Sequence, residues 1–466
     1  PVGVRAPVNL SFGAPGVRDI FNSAKPLVVR GDVVVGEGAL IQTDPKGSIA
    51  LSGDTVLVQG GLVTPGGTIT VSGGKDSTLL FADASQALPT VDLGAKSALS
   101  AAGTTVLTPD VRGYRTGSVL AGGTIAIAGN IVAETGAKLD VSGASGVLDL
   151  APTFGATSGA ASSSTTGAPV VATRVDSNGG TIALAGAQEL LADATLNGAA
   201  GGPSALGGSL VVSSGKFYPP GTAAGAQTPN DVTLTVTQRG PTAAPPSVPA
   251  GESAIGHAVV SLGGATLPGQ GYFAADSFLH GGFDALTLKG TVKFSGAVAL
   301  TAPRSLTVAT SGLLFADGAV TLAAPYIALG TAFATPLLPQ ELTSAFTVQG
   351  QPFYAPPTFG AGSLNVAASL IDVGNLSLQN IGQATLTANQ GDIRGDGTLD
   401  IAGDLTLRAG QVYPPTAVSF NLTAADYLIG TVAHTGSITI VDAGTRSLPL
   451  SAGGELTVYA STIVQG

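Results

Sequence analysis

The chain has 466 residues, with 68 Gly, 29 Pro, only 5% aromatic and 10% charged side chains, a formal net charge of −10 and no Cys, Met or Trp. Mean hydropathy is positive at +0.41, and low charge with high apolar content is the reverse of what keeps a chain disordered. The composition excludes a disulfide framework and thiolate metal sites, and the acidic balance excludes nucleic acid as a partner, since that calls for a clustered basic face.

The sequence opens at Pro1 and contains no Met, so it reads as an internal piece of a longer precursor, with any leader peptide upstream. No apolar run approaches the ~20 residues of a membrane-crossing helix. In chain order, residues 1–45 read as a lead-in with the first coils. Residues 46–215 carry a recurring phrase in which Gly precedes Ser or Thr and an apolar-polar-apolar triplet. It stands at Gly47-Ser48-Ile49-Ala50-Leu51, Gly67-Thr68-Ile69-Thr70-Val71, Gly123-Thr124-Ile125-Ala126-Ile127, Gly180-Thr181-Ile182-Ala183-Leu184 and Gly208-Ser209-Leu210-Val211-Val212. Alternation of this kind puts Ile, Leu and Val on one face of a short strand, and Gly supplies the corners between strands.

The intervals between copies are 20, 56, 57 and 28 residues, and 56 is close to three times nineteen. A unit near ~20 residues cannot bury its own apolar face and must stack on neighbours. The expected fold is all-β, a right-handed parallel β-helix solenoid with coils of about 20 residues and loop insertions, in about seventeen coils spanning on the order of 80 Å. Helical signals are nearly missing, and the one candidate, Ala185 to Asp193, reads as strand and corner. A Ser/Ala-rich insertion is expected at 151–178 and a Pro-rich insertion outside the helix at 216–256. The β-helix continues over 257–466, interrupted at 333–359 and 411–426. Further copies of the phrase begin at Gly362, Gly397, Gly436 and Gly454. Three insertions carry an aromatic followed by Pro, at Tyr218, Tyr354 and Tyr413, rings that would pack against the stack or serve a ligand.

The stretch 283–330, FDALTLKGTVKFSGAVALTAPRSLTVATSGLLFADGAVTLAAPYIALG, together with the Gly-Thr-Ile phrases, resembles the shaft repeats of the filamentous haemagglutinin family of large two-partner secretion exoproteins. The resemblance implies export through an outer-membrane β-barrel transporter as partner and a bacterial cell-surface or secreted location. It also implies a role in adhesion, cell-cell aggregation or biofilm contact through a surface receptor or glycan. The family's Asn-Pro-Asn motif of the secretion domain does not occur here, which fits a shaft region.

No catalytic constellation stands out, so a non-enzymatic chain is expected. His257, His280 and His434 lack the i, i+2 or i, i+4 partner of a zinc pair. Asp392, Asp396, Asp400 and Asp404 recur every four residues, hard oxygen donors that make calcium the one cofactor to test, against the plain reading of Asp as a corner residue. Arg-Gly-Asp occurs at Arg30-Gly31-Asp32 and Arg394-Gly395-Asp396, a receptor motif only if displayed on a loop. The alternatives are a polysaccharide-binding or polysaccharide-processing β-helix and a matrix or surface-layer rod with lateral self-association.

Overall fold

The computed structural model describes residues 6–19, 27–77, 80–81, 87–108, 110–151, 170–213, 215–217, 230–241, 253–259, 270–333, 355–444 and 451–466. The protein is all-β with most strands paired in parallel, and among the described residues the sole helix is Ala275–Leu279. No helix is long and apolar enough to cross a membrane among those residues. Two compact units are present. The first comprises Pro1–Asn230, Pro241–Gly269 and Ser277–Ala285, and the second Asp231–Gly240, Gln270–Asp276 and Leu286–Gly466.

In the first unit the chain visits three parallel ladders in rotation. The first ladder stacks Asn9–Ala14, Ser48–Gly53, Thr68–Ser72, the start of Thr124–Ala133, the start of Thr181–Ala192, and Gly208–Ser213. The second stacks Asp32–Val35, Thr55–Val58, Val91–Leu93 and the ends of the two long strands. The third stacks Leu40–Gln42, Gly61–Val63, Ala98–Ser100, Lys138–Asp140 and Thr195–Asn197. Alternation turns every second side chain inward, so Ile49, Ile69, Ile125, Ile182 and Leu210 line one column and Leu62, Leu99, Leu139 and Leu196 another, all buried. Each such side chain contributes roughly 1.5–3 kcal/mol when taken out of water. Successive ladders followed by a return to the first are compatible with a β-helix.

The Gly of the repeated phrase has a specific packing reason. A Cβ added at Gly67 would lie 2.1 Å from the Gly47 carbonyl oxygen, one at Gly123 1.9 Å from that of Gly67, one at Gly180 1.9 Å from that of Gly123, and one at Gly208 2.3 Å from that of Gly180. The same carbonyls accept hydrogen bonds from the next residue of the following copy. The amides of Thr68, Thr124, Thr181 and Ser209 donate at 2.9–3.0 Å to Gly47, Gly67, Gly123 and Gly180. The glycines thus form a column of backbone in van der Waals contact, and only a residue without a Cβ fits.

The spacing expectation is corrected here. Thr68 pairs directly with Thr124 and Thr124 with Thr181, so the 56- and 57-residue intervals are each one step of the ladder, not three. The extra residues leave the stack, partly as antiparallel hairpins: Thr104–Thr108 with Thr116–Leu120, and Ser145–Leu150 with Val171–Asp176. The second hairpin flanks the expected insertion at 151–178, whose residues 152–169 lie outside the described residues.

Residues 185–193 follow their expectation, since strand Thr181–Ala192 runs through them. At a register shift in this strand, Asn130 alone stands opposite Ala187, Gln188 and Glu189, between the pairs Gly129–Gly186 and Ile131–Leu190. Such a bulge bends the strand from one ladder to the next. Glu189 is buried there, and its Oε2 has no hydrogen-bond partner among the described residues. Burial pushes its carboxyl well above the usual range. A raised folded value means that the contribution to stability is complete below the unfolded value of about 4.3 and is lost as pH rises through the folded one. Glu189→Gln is therefore expected to raise the urea midpoint at pH 8 and to leave it unchanged at pH 4, relative to the parent at each pH.

The second unit repeats the scheme. One ladder stacks Val298–Thr301, Ala319–Ala323, part of Thr358–Val373, part of Leu376–Gly395, Asp404–Ala409, Ser437–Asp442 and Thr462–Gln465. Its pairs Val298–Val320, Leu364–Ala384, Ala384–Leu405 and Ile438–Ile463 are steps of 22, 20, 21 and 25 residues, broken by two longer ones, Val320–Leu364 at 44 and Leu405–Ile438 at 33. A further ladder begins with Leu234–Thr237 paired to Val292–Phe294. Its alternating LTVT buries Leu234 and Val236, so the segment 216–256 contains a ladder strand inside what reads as a Pro-rich insertion. Residues 411–426 are likewise no insertion. Gln411–Tyr413 and Ser419–Ala425 pair in parallel with Leu376–Gly395, Gly397–Ala402 and Glu455–Ala460, and the two prolines between them occupy the corner. The expected interruption at 333–359 falls mostly outside the described residues.

Candidate functional site

One ladder of the second unit carries a distinctive outward face. Ser305–Val308, Tyr326–Leu329, the end of Thr358–Val373, the end of Leu376–Gly395 and Gln411–Tyr413 stack in register. Their inward residues Leu306, Ile327, Ile371 and Ile393 are fully buried. By alternation the neighbours point outward, in two columns: Ser305, Tyr326, Leu370, Asp392 and Gln411, then Thr307, Ala328, Asp372, Arg394 and Tyr413.

Across these columns the polar groups interlock. The Arg394 guanidinium donates to Asp372 from Nε at 2.8 Å and Nη2 at 2.7 Å, a bidentate fork that fits a carboxylate. The Tyr326 hydroxyl donates to Asp372 Oδ2 at 2.8 Å, and the Tyr413 hydroxyl donates to Asp392 Oδ2 at 3.3 Å. Asp372 is one-tenth exposed and Arg394 one-third, at 10% and 33%. Burial first, and then the bond to Asp372, push the Tyr326 phenol up to about 12. Burial and the Asp392 charge raise Tyr413 as well, while the bond to Asp372 raises Arg394. At neutral pH both phenols are therefore proton donors and the guanidinium is charged, a fixed and half-exposed hydrogen-bonding surface flanked by two aromatic rings.

Compared with known protein families, with curated proteins and with solved structures, the chain matches none.

Of the residues singled out by sequence, this face brings together Arg394, Tyr413 and Asp392. It does not gather the four spaced carboxylates. Leu376–Gly395 and the strands after it pass through successive corners, so each Asp falls elsewhere. Asp392 lies beside Gln411, Asp400 beside Ser377, and Asp404 beside Gln383, where it accepts from Ser437 Oγ at 2.6 Å. Asp396 sits just beyond strand Leu376–Gly395, its amide donating to the Val373 carbonyl. No group of three or more His, Asp or Glu able to hold a metal occurs among the described residues.

Neither Arg-Gly-Asp triplet is displayed as a loop tip. Arg30 donates to its own Asp32, from Nε at 2.6 Å and Nη2 at 3.0 Å, and Asp32 accepts from Thr55 Oγ1 at 2.6 Å. That ion pair holds the Asp32 carboxyl below its usual value. A Cβ on Gly31 would lie 2.1 Å from the Ala14 carbonyl oxygen, and one on Gly395 2.2 Å from the Phe420 ring. Packing against neighbouring strands accounts for both glycines. His434 stacks on Tyr427 at 5.3 Å between ring centroids, and Tyr427 on Phe359 at 3.9 Å. Tyr218 and Tyr354 lie outside the described residues.

Sequence reasoning missed Tyr326 and Asp372. The signal was present in the four-residue phrases SLTV, YIAL, LIDV and DIRG, which align on their second position. Aligned so, Asp372 and Arg394 fall into one column and Tyr326 into the adjacent one.

Proposed function

We propose that this chain is a structural segment of a secreted or cell-surface fibre, folded as a right-handed β-helix and mediating adhesion or cell-cell contact rather than catalysis. The observation that carries the reading is the glycine column of the first unit, because backbone stacked at one place through Gly47, Gly67, Gly123, Gly180 and Gly208 is what a coil returning to its own position demands. The half-buried alternation of the ladders supports it too. The likeness of residues 283–330 to filamentous haemagglutinin shafts supports the surface location and export through an outer-membrane transporter.

Deletion of residues 364–404 removes two ladder steps in register, since Leu364 pairs with Ala384 and Ala384 with Leu405. The shortened chain is expected to unfold cooperatively and to lose about 10 Å of its longest dimension, at ~4.8 Å per strand, read by small-angle scattering. An unfolded deletion product, or an unchanged longest dimension, overturns the coil reading. Turnover of a panel of neutral and uronate polysaccharides would overturn the non-catalytic part.

A further inference from the structure

We propose that the outward face formed by Tyr326, Asp372, Arg394, Asp392 and Tyr413 binds a neutral, hydroxyl-rich polysaccharide chain laid across the strands. The proposal deepens the surface-fibre reading and rests on it for its setting.

Three observations select this ligand class. The first is chemical variety in a small area: two carboxylates, a guanidinium and two phenols stand on four successive strands of one ladder, a line on the order of 14 Å at the spacing of paired strands. The central outward column of the neighbouring ladder holds Thr321, Asn365, Thr385 and Thr406, and its flanking columns carry Asp404 and Arg408 without an aromatic ring. The second is charge. The face holds two carboxylates and one guanidinium, the guanidinium is occupied by Asp372 on two of its nitrogens, and the whole chain carries −10. A polyanion is therefore repelled, whereas sugar hydroxyls donate to the half-exposed Asp392 and accept from the remaining guanidinium N–H groups. The third is rigidity. Asp372 is clamped by Arg394 and Tyr326, and Tyr413 is tethered to Asp392, so the rings and polar groups are set before the ligand arrives, which removes part of the ordering cost of binding. Tyr rings offer an apolar face for the C–H faces of sugar rings while their hydroxyls stay hydrogen-bonded.

The test is affinity electrophoresis of the full chain through gels containing a neutral β-glucan, xylan or galactomannan, beside gels containing polygalacturonate. Tyr413→Ala is expected to weaken retention in the neutral gels about fivefold, by loss of one ring. Asp392→Asn, which keeps the shape of the side chain, is expected to weaken it about tenfold. Arg115→Ala, in the first unit and far from this ladder in sequence, should migrate as the parent does, and equal thermal midpoints for Asp392→Asn and parent would show that the fold is kept. The proposal is overturned if the parent chain is retained by no neutral polysaccharide, if it is retained by polygalacturonate alone, or if both variants are retained like the parent. The scattering measurement on the 364–404 deletion separates the two readings. A deletion product that shortens as expected, beside a parent chain that no neutral polysaccharide retains, overturns this face and leaves the fibre standing; the deletion itself removes Asp372, Asp392 and Arg394 and is expected to lose retention.

Discussion

Gly123→Val is expected to abolish cooperative folding of the first unit, and Gly123→Ala to cost at least about 3 kcal/mol, at or beyond the upper end of ordinary overpacking. The reason is that the obstacle is backbone. A Cβ at this position would stand 1.9 Å from the Gly67 carbonyl oxygen and 2.8 Å from the Gly67 amide nitrogen and carbonyl carbon, and no rotamer change relieves a clash with main chain. The two strands would have to part, which breaks the bond from the Thr124 amide to that carbonyl, 2.9 Å long. The damage would pass to the next copy, since Gly180 makes the same contact with Gly123. Gly36→Ala is the control: no atom lies within 4 Å of its added Cβ, and a change within about 0.5 kcal/mol is expected there. Urea titration followed by circular dichroism reads all three. A Gly123→Ala chain as stable as the parent would remove the packing account of the repeated phrase.

Asn130→Ala is the second large effect, expected at about 2–4 kcal/mol, since it strands several buried groups at once. Asn130 is fully buried and Gln188 nearly so. The Asn130 amide donates to the Leu88 carbonyl at 2.8 Å and to Gln188 Oε1 at 3.0 Å, and its own oxygen accepts from the Gln188 backbone N–H at 2.8 Å. Gln188 Oε1 also accepts from the Ser77 backbone and hydroxyl, both at 3.0 Å. Truncation leaves the Leu88 carbonyl and the Gln188 amide without these partners inside the protein, where water cannot replace them. Amide hydrogen exchange should speed up at Ser77, Leu88 and Gln188 well before the ladder strands. A loss below about 0.5 kcal/mol, or exchange that rises equally everywhere, would show that the network does not hold this bulge.

Much of the fold was legible because the strongest signal was local. Alternation in Thr68-Ile69-Thr70-Val71 or Leu405-Thr406-Leu407 places side chains on opposite faces whatever the chain does elsewhere, and the strands stand where the alternation put them. The all-β class and the preference for parallel pairing follow from short apolar strands that return at intervals too long for a hairpin. Spacing misled where excursions intervened. Fifty-six residues read as three coils, yet Thr68 and Thr124 are direct partners, because hairpins such as Thr104–Thr108 with Thr116–Leu120 lengthen a step without adding one. The prolines of 411–426 suggested a loop, yet Pro414 and Pro415 merely occupy a corner between two paired strands.

The candidate site was only half visible. Arg394, Asp392 and Tyr413 drew notice through an Arg-Gly-Asp triplet, an acidic run and an aromatic-proline phrase, three separate reasons, none of which concerned their meeting. What joins them is register between strands some twenty residues apart, with Asp372 facing Arg394 and Arg394 facing Tyr413. By itself the sequence determined that charge is scarce, from composition, and which residues turn inward, from the two-residue period of a strand; which glycines are obligatory was decided by the backbone of the neighbouring strand, which crowds Gly123 and leaves Gly36 open. Only the tertiary structure decided which outward residues become neighbours. Contact across a ladder depends on the number of residues in every intervening corner and excursion, and a one-residue change there moves a side chain to the opposite face.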